Sequence, residues 1–253
     1  MKKAFIVTSS IEVDNSNPLT YSKTRTYFSS EERFRQTIAT IASIDQASDN
    51  ETDIFLLDTS EHWYQYCQHF TYQPNLIFVS VKEELPEIYN EVKTHPNKTR
   101  CEALILSEFM KKNKQALSEY DFQFKMSGRY FLDKKFDISL FNESTAGKIF
   151  YKRYMEHAWQ DSWMYDLVDR RTQQGDNNLR QYCSVLFGWS KQYQERYQMM
   201  FETIALMLSN PVLYHFDHET LGYYLTRTYQ DDIIETDWLV YGFHGHDGKF
   251  VRY

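Results

Sequence analysis

The first half of this 253-residue chain contains no glycine, because all eight glycines lie at or after Gly128. Phosphate-binding loops of the Walker and dinucleotide types are built on glycines that let the backbone approach a phosphate closely. Their absence argues against a kinase-like NTPase and against an NAD-dependent enzyme. The late Gly242-Phe-His-Gly245-His-Asp-Gly248 has no helical pattern after it and predicts a turn-rich C-terminal loop.

Cysteine and long apolar runs are also scarce. The three cysteines, Cys67, Cys101 and Cys183, are unclustered, so they fit neither a disulfide framework nor a thiolate metal site and indicate reduced thiols. The N-terminal apolar run is too short for a signal peptide, and no run approaches the length of a membrane span. We therefore expect a cytoplasmic protein with no integral membrane segment.

The chain does not carry an excess of positive charge. Its 35 acidic and 28 basic residues give a formal net charge of −7, which argues against a general nucleic-acid or anionic-membrane binder. A local basic pocket is still compatible with this balance, but any anionic ligand would have to be small. With 42 % hydrophobic residues, the chain can bury a full core.

Short apolar runs alternate with helical patterns along the first half of the chain. The runs at 4–8, 53–58, 75–81 and 121–127 predict strands, and Ser29 followed by acidic residues predicts a helix start. This alternation predicts an α/β fold with a mostly parallel sheet flanked by helices. Further strands are expected at 147–154 and 180–187, and helices at about 190–208 and 217–228. No linker interrupts the sequence, so we expect one domain over 1–253.

The strand at 121–127 ends in an unusual group of residues. It brings Lys125, Ser127, Gly128 and Arg129 to one strand end. Ligands of open α/β sheets bind at that edge, and an arginine offers a planar fork for phosphate or carboxylate. The alternative is a strand that ends in a turn with a solvated lysine and arginine.

Several segments resemble the nucleotide-sugar glycosyltransferases of the GT-A type. The segment Arg33-Phe-Arg-Gln-Thr-Ile-Ala-Thr-Ile-Ala-Ser-Ile44 is similar to the family's early helix, and Asp53-Ile-Phe-Leu-Leu-Asp58-Thr-Ser60 to the strand that cradles the nucleoside. Asn97-Lys98-Thr99-Arg100-Cys-Glu102-Ala103-Leu looks like the helix start that meets the diphosphate. The resemblance covers roughly residues 3–135. It implies a GT-A-like, Rossmann-type sheet, with a nucleotide-binding half at 1–135 and a helical acceptor half at 136–253.

The resemblance also implies an activity and a set of binding residues. The expected activity is transfer of a sugar from a nucleotide sugar to a glycan or other hydroxyl acceptor, in surface polysaccharide synthesis. The expected nucleotide-binding residues are Thr8, Asp58 and Ser60 for the nucleoside, Arg100, Lys125 and Arg129 for the diphosphate, and in addition Ser127.

The family's Asp-x-Asp motif is absent at the strand end where Lys125 and Arg129 lie. Fixed cations can neutralise a leaving diphosphate without a metal ion, so no cofactor is expected. Mn²⁺ or Mg²⁺ stays possible, since these ions need oxygen ligands that other residues could supply. The alternative function is a non-catalytic carbohydrate- or partner-binding protein on the same fold, which would equally lack the motif.

Sugar transfer with inversion needs a group that takes the proton of the acceptor hydroxyl. We expect Asp217 or Glu219, although Asp217 could equally be the N-cap of the helix that starts there. Asp161 and Asp166 lie in an aromatic-rich stretch and are further candidates. Two histidine pairs, His215 with His218 and His244 with His246 beside Asp247, could in principle bind a metal ion, but spacing fixes no complete ligand set.

Overall fold

The structure is a computed structural model, and it describes residues 1–20, 22–153, 155–158, 178–214 and 216–253. Three of the candidate residues, Asp161, Asp166 and His215, lie outside this part of the chain. In the described residues, no helix combines the length and the apolar character needed to cross a membrane.

Seven strands form the main sheet: β1 Lys3–Ser9, β2 Thr52–Asp58, β3 Leu76–Ser80, β4 Phe122–Ser127, β6 Ile149–Lys152, β9 Leu186–Ser190 and β10 Ile233–Thr236. Their order across the sheet is β3-β2-β1-β4-β9-β6-β10. Strands β1 to β4 are parallel to one another, and β9 runs antiparallel to both of its neighbours. The prediction that the first four apolar runs share one mostly parallel sheet is confirmed.

The helices pack on both faces of this sheet. The first begins after Ser29, whose side chain and that of Glu32 form a reciprocal capping box, as the sequence predicts. The helices are α1 Ser30–Ala47, α2 Tyr64–Cys67, α3 Val81–Glu84, α4 Pro86–Thr94, α5 Lys98–Lys112, α6 Lys114–Leu117, α7 Gln194–Met207 and α8 His218–Thr226.

Two smaller sheets complete the described fold. One joins β5 Tyr130–Leu132, β11 Val240–Phe243 and β12 Phe250–Arg252, and the other joins β7 Met155–Ala158 and β8 Asn178–Gln181. The expected strand at 180–187 is wrong, because this range covers the end of β8, a connection and the start of β9. The C-terminal glycine segment forms the end of β11 and the turn that leads to β12, a pairing that the glycine spacing does not reveal.

Side chains alternate across the central strands, so both faces of the sheet are buried. In β1, Ala4 and Ile6 join the core beneath α4, α5, α7 and α8, whereas Phe5 and Val7 join the core beneath α1 and the β5-β11-β12 sheet. Because the central strands are parallel, their carboxyl ends meet at one edge of the sheet, and a cavity opens there.

Candidate functional site

A cavity of about 410 Å³ opens where β1 and β4 end. This volume is within the range of small-molecule sites. Its walls come from the ends of β1 and β4, the first turns of α5 and α8, and the turn between β11 and β12. Of the residues expected to bind or react, the structure brings Thr8, Ser127, Arg129, Asp217 and Glu219 to this cavity.

Gly128 allows β4 to close this edge of the sheet. Its N–H donates to the Thr8 carbonyl at 2.8 Å. A Cβ atom at this position would lie 2.9 Å from the same carbonyl oxygen and 3.2 Å from Cβ of Ser9. The glycine is therefore needed for the close approach of β4 to the end of β1, which places Arg129 at the cavity.

Four cations line the cavity without a carboxylate partner. In the part of the chain that the structure describes, Arg25, Arg33, Lys98 and Arg129 form no ion pair. Arg25 donates to the His95 carbonyl at 2.9 Å. Arg33 donates to the Ser10 carbonyl and, at 3.1 Å, to the Thr26 hydroxyl. Lys98 donates to the Arg25 carbonyl. These neutral partners orient the cations but leave their charge uncompensated.

The pKa values of these cations reflect that lack of compensation. Burial, together with repulsion from Arg129 and Arg33, lowers the pKa of Lys98 to about 6. Burial and repulsion from Arg129 lower the pKa of the Arg33 guanidinium to about 9, against a weaker opposing effect of Asp58. Nε of Arg129 is buried with no hydrogen-bond partner among the described residues. An anion in the cavity would raise the pKa values of Lys98 and Arg33 again and could accept a hydrogen bond from Nε of Arg129.

Glu102 supplies a carboxylate to the same cavity from α5. Its Oε1 accepts from the Thr8 hydroxyl at 2.5 Å and lies 2.9 Å from the ammonium nitrogen of Lys125. Although burial would raise it, attraction to Lys125 and His218 and the Thr8 hydrogen bond hold the pKa of Glu102 well below its usual range. Glu102 is therefore a fixed anion.

Glu219 has the opposite electrostatic environment. Its Oε1 accepts from the neutral Ser184 hydroxyl, and the Asp217 carboxylate lies close to it. Burial, followed by repulsion from Asp217, raises the pKa of Glu219 to about 7. A carboxyl group with such a pKa can take and return a proton near neutral pH.

Asp217 caps α8, as one of the two sequence interpretations states. One carboxylate oxygen accepts from the Thr220 N–H at 2.7 Å, and the other accepts from the Gln181 amide at 2.9 Å. Both oxygens are thus used in the fold. Of the two candidate bases, Glu219 has the more available carboxylate.

Four expected nucleotide-binding side chains do not line this cavity: Asp58, Ser60, Arg100 and Lys125. Asp58 is buried and accepts from the Ile11 and Ser60 N–H groups, while the Ser60 hydroxyl accepts from the Glu12 N–H. These contacts shape the loop after β1. A direct role of Asp58 and Ser60 in holding a nucleoside is an interpretation that this placement does not favour.

The two cations of this group also point into the protein. Arg100 forms an ion pair with Glu91 of α4. Lys125 is 0 % exposed, and its three donors reach Glu102, the Ser127 hydroxyl at 2.9 Å and the Ser184 carbonyl at 2.6 Å. A diphosphate would have to replace these partners, so the expected contact of Lys125 with the diphosphate does not fit its position.

The strand end that lacks Asp-x-Asp offers Ser127 and Arg129, which do not suit a hard cation. A second donor set lies in the β11–β12 turn, where ligand atoms of His244, His246 and Asp247 are within 4.8 Å of one another. Both histidines line the cavity. His244 already bonds the Tyr253 hydroxyl at 2.7 Å, and Lys249 lies 3.1 Å from the Asp247 carboxylate. These contacts use Nε2 of His244 and Oδ2 of Asp247, so Nδ1 of His244 and Oδ1 of Asp247 could still serve as ligands together with His246.

Three residues of the cavity are not singled out by the sequence motifs: Arg33, Lys98 and Glu102. All three lie in segments that carry the resemblance, but they read as ordinary polar positions of amphipathic helices. One signal was present: Asn97 caps α5 by accepting from the Arg100 N–H at 2.9 Å, so the helix begins at the cavity and directs its first turns there.

The sheet order, the flanking helices and the cavity at the carboxyl edge define a GT-A-like glycosyltransferase fold. The chain is similar to the apo form of mouse xyloside xylosyltransferase 1, with a TM-score of 0.51 and 10 % identity over 93 % of this chain and 85 % of that one. The apo structure of WbbM, a bifunctional glycosyltransferase, aligns over 93 % of this chain with a TM-score of 0.49 and 10 % identity. This chain spans 38 % of the WbbM chain. No family model and no curated protein matches the sequence.

Proposed function

We propose that this protein is a glycosyltransferase that moves a sugar from a nucleotide sugar to a glycan or other hydroxyl acceptor. The observation that carries the proposal is the group of uncompensated cations, including Arg33, Lys98 and Arg129, in the cavity of a GT-A-like fold. Bringing like charges together without counter-ions is unfavourable, so the cluster suits an anionic ligand.

The diphosphate of the donor is the anion that we assign to these cations. Arg129 offers a planar fork for two phosphate oxygens. Lys98 lies at the first turn of α5, where the helix N-terminus also favours an anion, and its amine would become a compact positive charge by taking up a proton when the diphosphate binds. In this scheme fixed cations stabilise the leaving diphosphate, and transfer does not require a metal ion. A metal ion on His244, His246 and Asp247 is the competing arrangement.

Glu219 is the proposed base for the acceptor hydroxyl. It lines the cavity, and its raised pKa suits proton transfer near neutral pH. The acceptor is proposed to be a glycan by analogy with the fold alone. A role in surface polysaccharide synthesis and a cytoplasmic location are further parts of this hypothesis.

A thermal-shift panel tests the proposal. The protein is heated with uridine, guanosine, cytidine and adenosine diphosphates, each with and without Mn²⁺, and then with the corresponding nucleotide sugars. A ligand that binds the folded state raises the melting temperature by mass action. We expect at least one nucleotide diphosphate to do so without Mn²⁺. No response to any nucleotide would favour the non-catalytic binding protein.

A further inference from the structure

A connected network of buried polar groups lies between Glu102 and Glu219, two of the carboxylates that line the cavity. Lys125 forms an ion pair with Glu102 and donates to the Ser184 carbonyl, and the Ser184 hydroxyl donates to Glu219. The Glu102 side chain is 25 % exposed although its partner Lys125 is fully buried, so Glu102 is the end of the ion pair that reaches the cavity. His218, 4 % exposed, lies behind it with Nδ1 3.8 Å from the second carboxylate oxygen.

The position of Glu102 along α5 relates it to the proposed diphosphate site. Lys98 and Glu102 are four residues apart, so they lie on the same face of the helix, about 6 Å apart along its axis. Both line the cavity. If Lys98 meets the diphosphate, the sugar carbon bonded to that diphosphate falls within about one helical turn, which is where Glu102 presents its carboxylate.

Sugar transfer creates positive charge at this carbon. The bond from the anomeric carbon to the diphosphate oxygen breaks, and its electron pair leaves with the nucleotide diphosphate. A bond from the acceptor oxygen to the same carbon forms, and the acceptor proton passes to Glu219. Between these events the sugar ring is cation-like, so an ionised carboxylate beside it lowers the barrier.

We propose that Glu102 is a catalytic residue whose carboxylate, fixed by Lys125 and Thr8, faces the transferring sugar and stabilises its positive charge. This inference rests on the proposed function and assigns a residue that it does not include. Lys125 and Thr8 are positioning residues in this scheme. They hold the carboxylate in place and keep it ionised while Glu219 exchanges protons.

The test compares Glu102→Gln with the double variant Glu102→Gln/Lys125→Met. The assay is the release of nucleotide from the nucleotide sugar that the wild type turns over fastest. The single variant keeps the size and the acceptor oxygen of residue 102 but removes the charge. The double variant also removes the ammonium, so no buried charge is left unpaired. Glu84→Gln, an exposed carboxylate paired with Lys112 away from the cavity, is the control.

We expect both Glu102 variants to lower kcat by about 100-fold, the size of effect typical of one electrostatic contact to the transition state. KM for the donor and the affinity for the nucleotide diphosphate should stay within about threefold of the wild type, because the lost contact acts on the sugar during transfer. The melting temperature of the double variant and the activity of Glu84→Gln should match the wild type.

Three results would overturn the inference while the proposed function stands. Turnover by Glu102→Gln at the wild-type rate would remove any catalytic role. Recovery of turnover in the double variant would make Glu102 only the counter-ion of Lys125. Loss of nucleotide binding in both variants would place Glu102 in donor binding. A wild type that neither binds nucleotide nor releases it would instead refute the proposed function, and this inference with it.

Discussion

Lys98 should make diphosphate binding depend steeply on pH. With a pKa of about 6 in the free protein, it is about 1 % protonated at pH 8, since each unit above the pKa lowers the charged fraction tenfold. A bound diphosphate favours the ammonium and raises this pKa. Binding above pH 6 therefore takes up a proton, and the affinity should fall as pH rises.

The magnitude follows from proton linkage. While the bound-state pKa of Lys98 stays above the working pH, binding takes up close to one proton, and Kd should rise by up to about tenfold per pH unit, or about 1.4 kcal/mol. The range from pH 7.5 to 9 is suitable, because a terminal phosphate with a pKa of about 6 is then fully ionised. Over that range we expect Kd to rise by roughly 10- to 30-fold.

Calorimetric titration measures this effect directly. Uridine diphosphate, or whichever nucleotide diphosphate raises the melting temperature most, is titrated in two buffers of different ionisation enthalpy, which gives the number of protons taken up. Lys98→Gln should bind more weakly at pH 7 and show little proton uptake. Lys93→Gln is the matched control, because Lys93 lines the same cavity but is paired with Glu61. Equal proton uptake by the wild type and Lys98→Gln would refute the reasoning.

Three further predictions concern the same cavity. Arg129→Lys should weaken nucleotide diphosphate binding about tenfold although the charge is kept, because the bidentate fork is lost. Equal titration curves for the wild type and this variant would show that Arg129 does not bind the diphosphate through its fork. Exhaustive chelation should leave nucleotide binding and sugar transfer intact, whereas loss of activity that Mn²⁺ restores would favour a metal ion on His244 and His246. Gly128→Ala should lower the free energy of unfolding by about 1–3 kcal/mol in urea titrations, because its Cβ would press on the Thr8 carbonyl; unchanged stability would show that this edge can relax.

The sequence was sufficient for the arrangement of the first four strands. Each is a short apolar run, and runs of this kind separated by helical patterns predict a parallel sheet covered on both faces. The later strands were harder to place. The small β5-β11-β12 sheet pairs Tyr130–Leu132 with Val240–Phe243, and three-residue pairings so far apart in the chain leave no local period to detect.

The candidate site was predicted in part, for a physical reason that Lys98 and Glu102 illustrate. Their four-residue spacing predicts an ion pair on a helix surface. In the described structure they are not paired: Lys98 turns to the Arg25 carbonyl, and Glu102 turns to Lys125 and Thr8. The spacing along the sequence shows that both residues lie on one face of the helix, but neighbours from other parts of the fold determine the partners of Lys98 and Glu102.

The burial of Lys125 could have been inferred from the alternation of β4. Phe122, Phe124 and Met126 occupy one face of this strand, so Lys125 must point to the other. In a central strand that other face is covered as well, and a covered ammonium needs a carboxylate within reach. Helix α5, which lies before α6 and β4 in the chain, packs on this face and carries Glu102 near its start. The position of Lys125 in a central strand therefore predicts a carboxylate partner, which is Glu102. The cations available to a diphosphate, Arg33, Lys98 and Arg129, lie outside this strand.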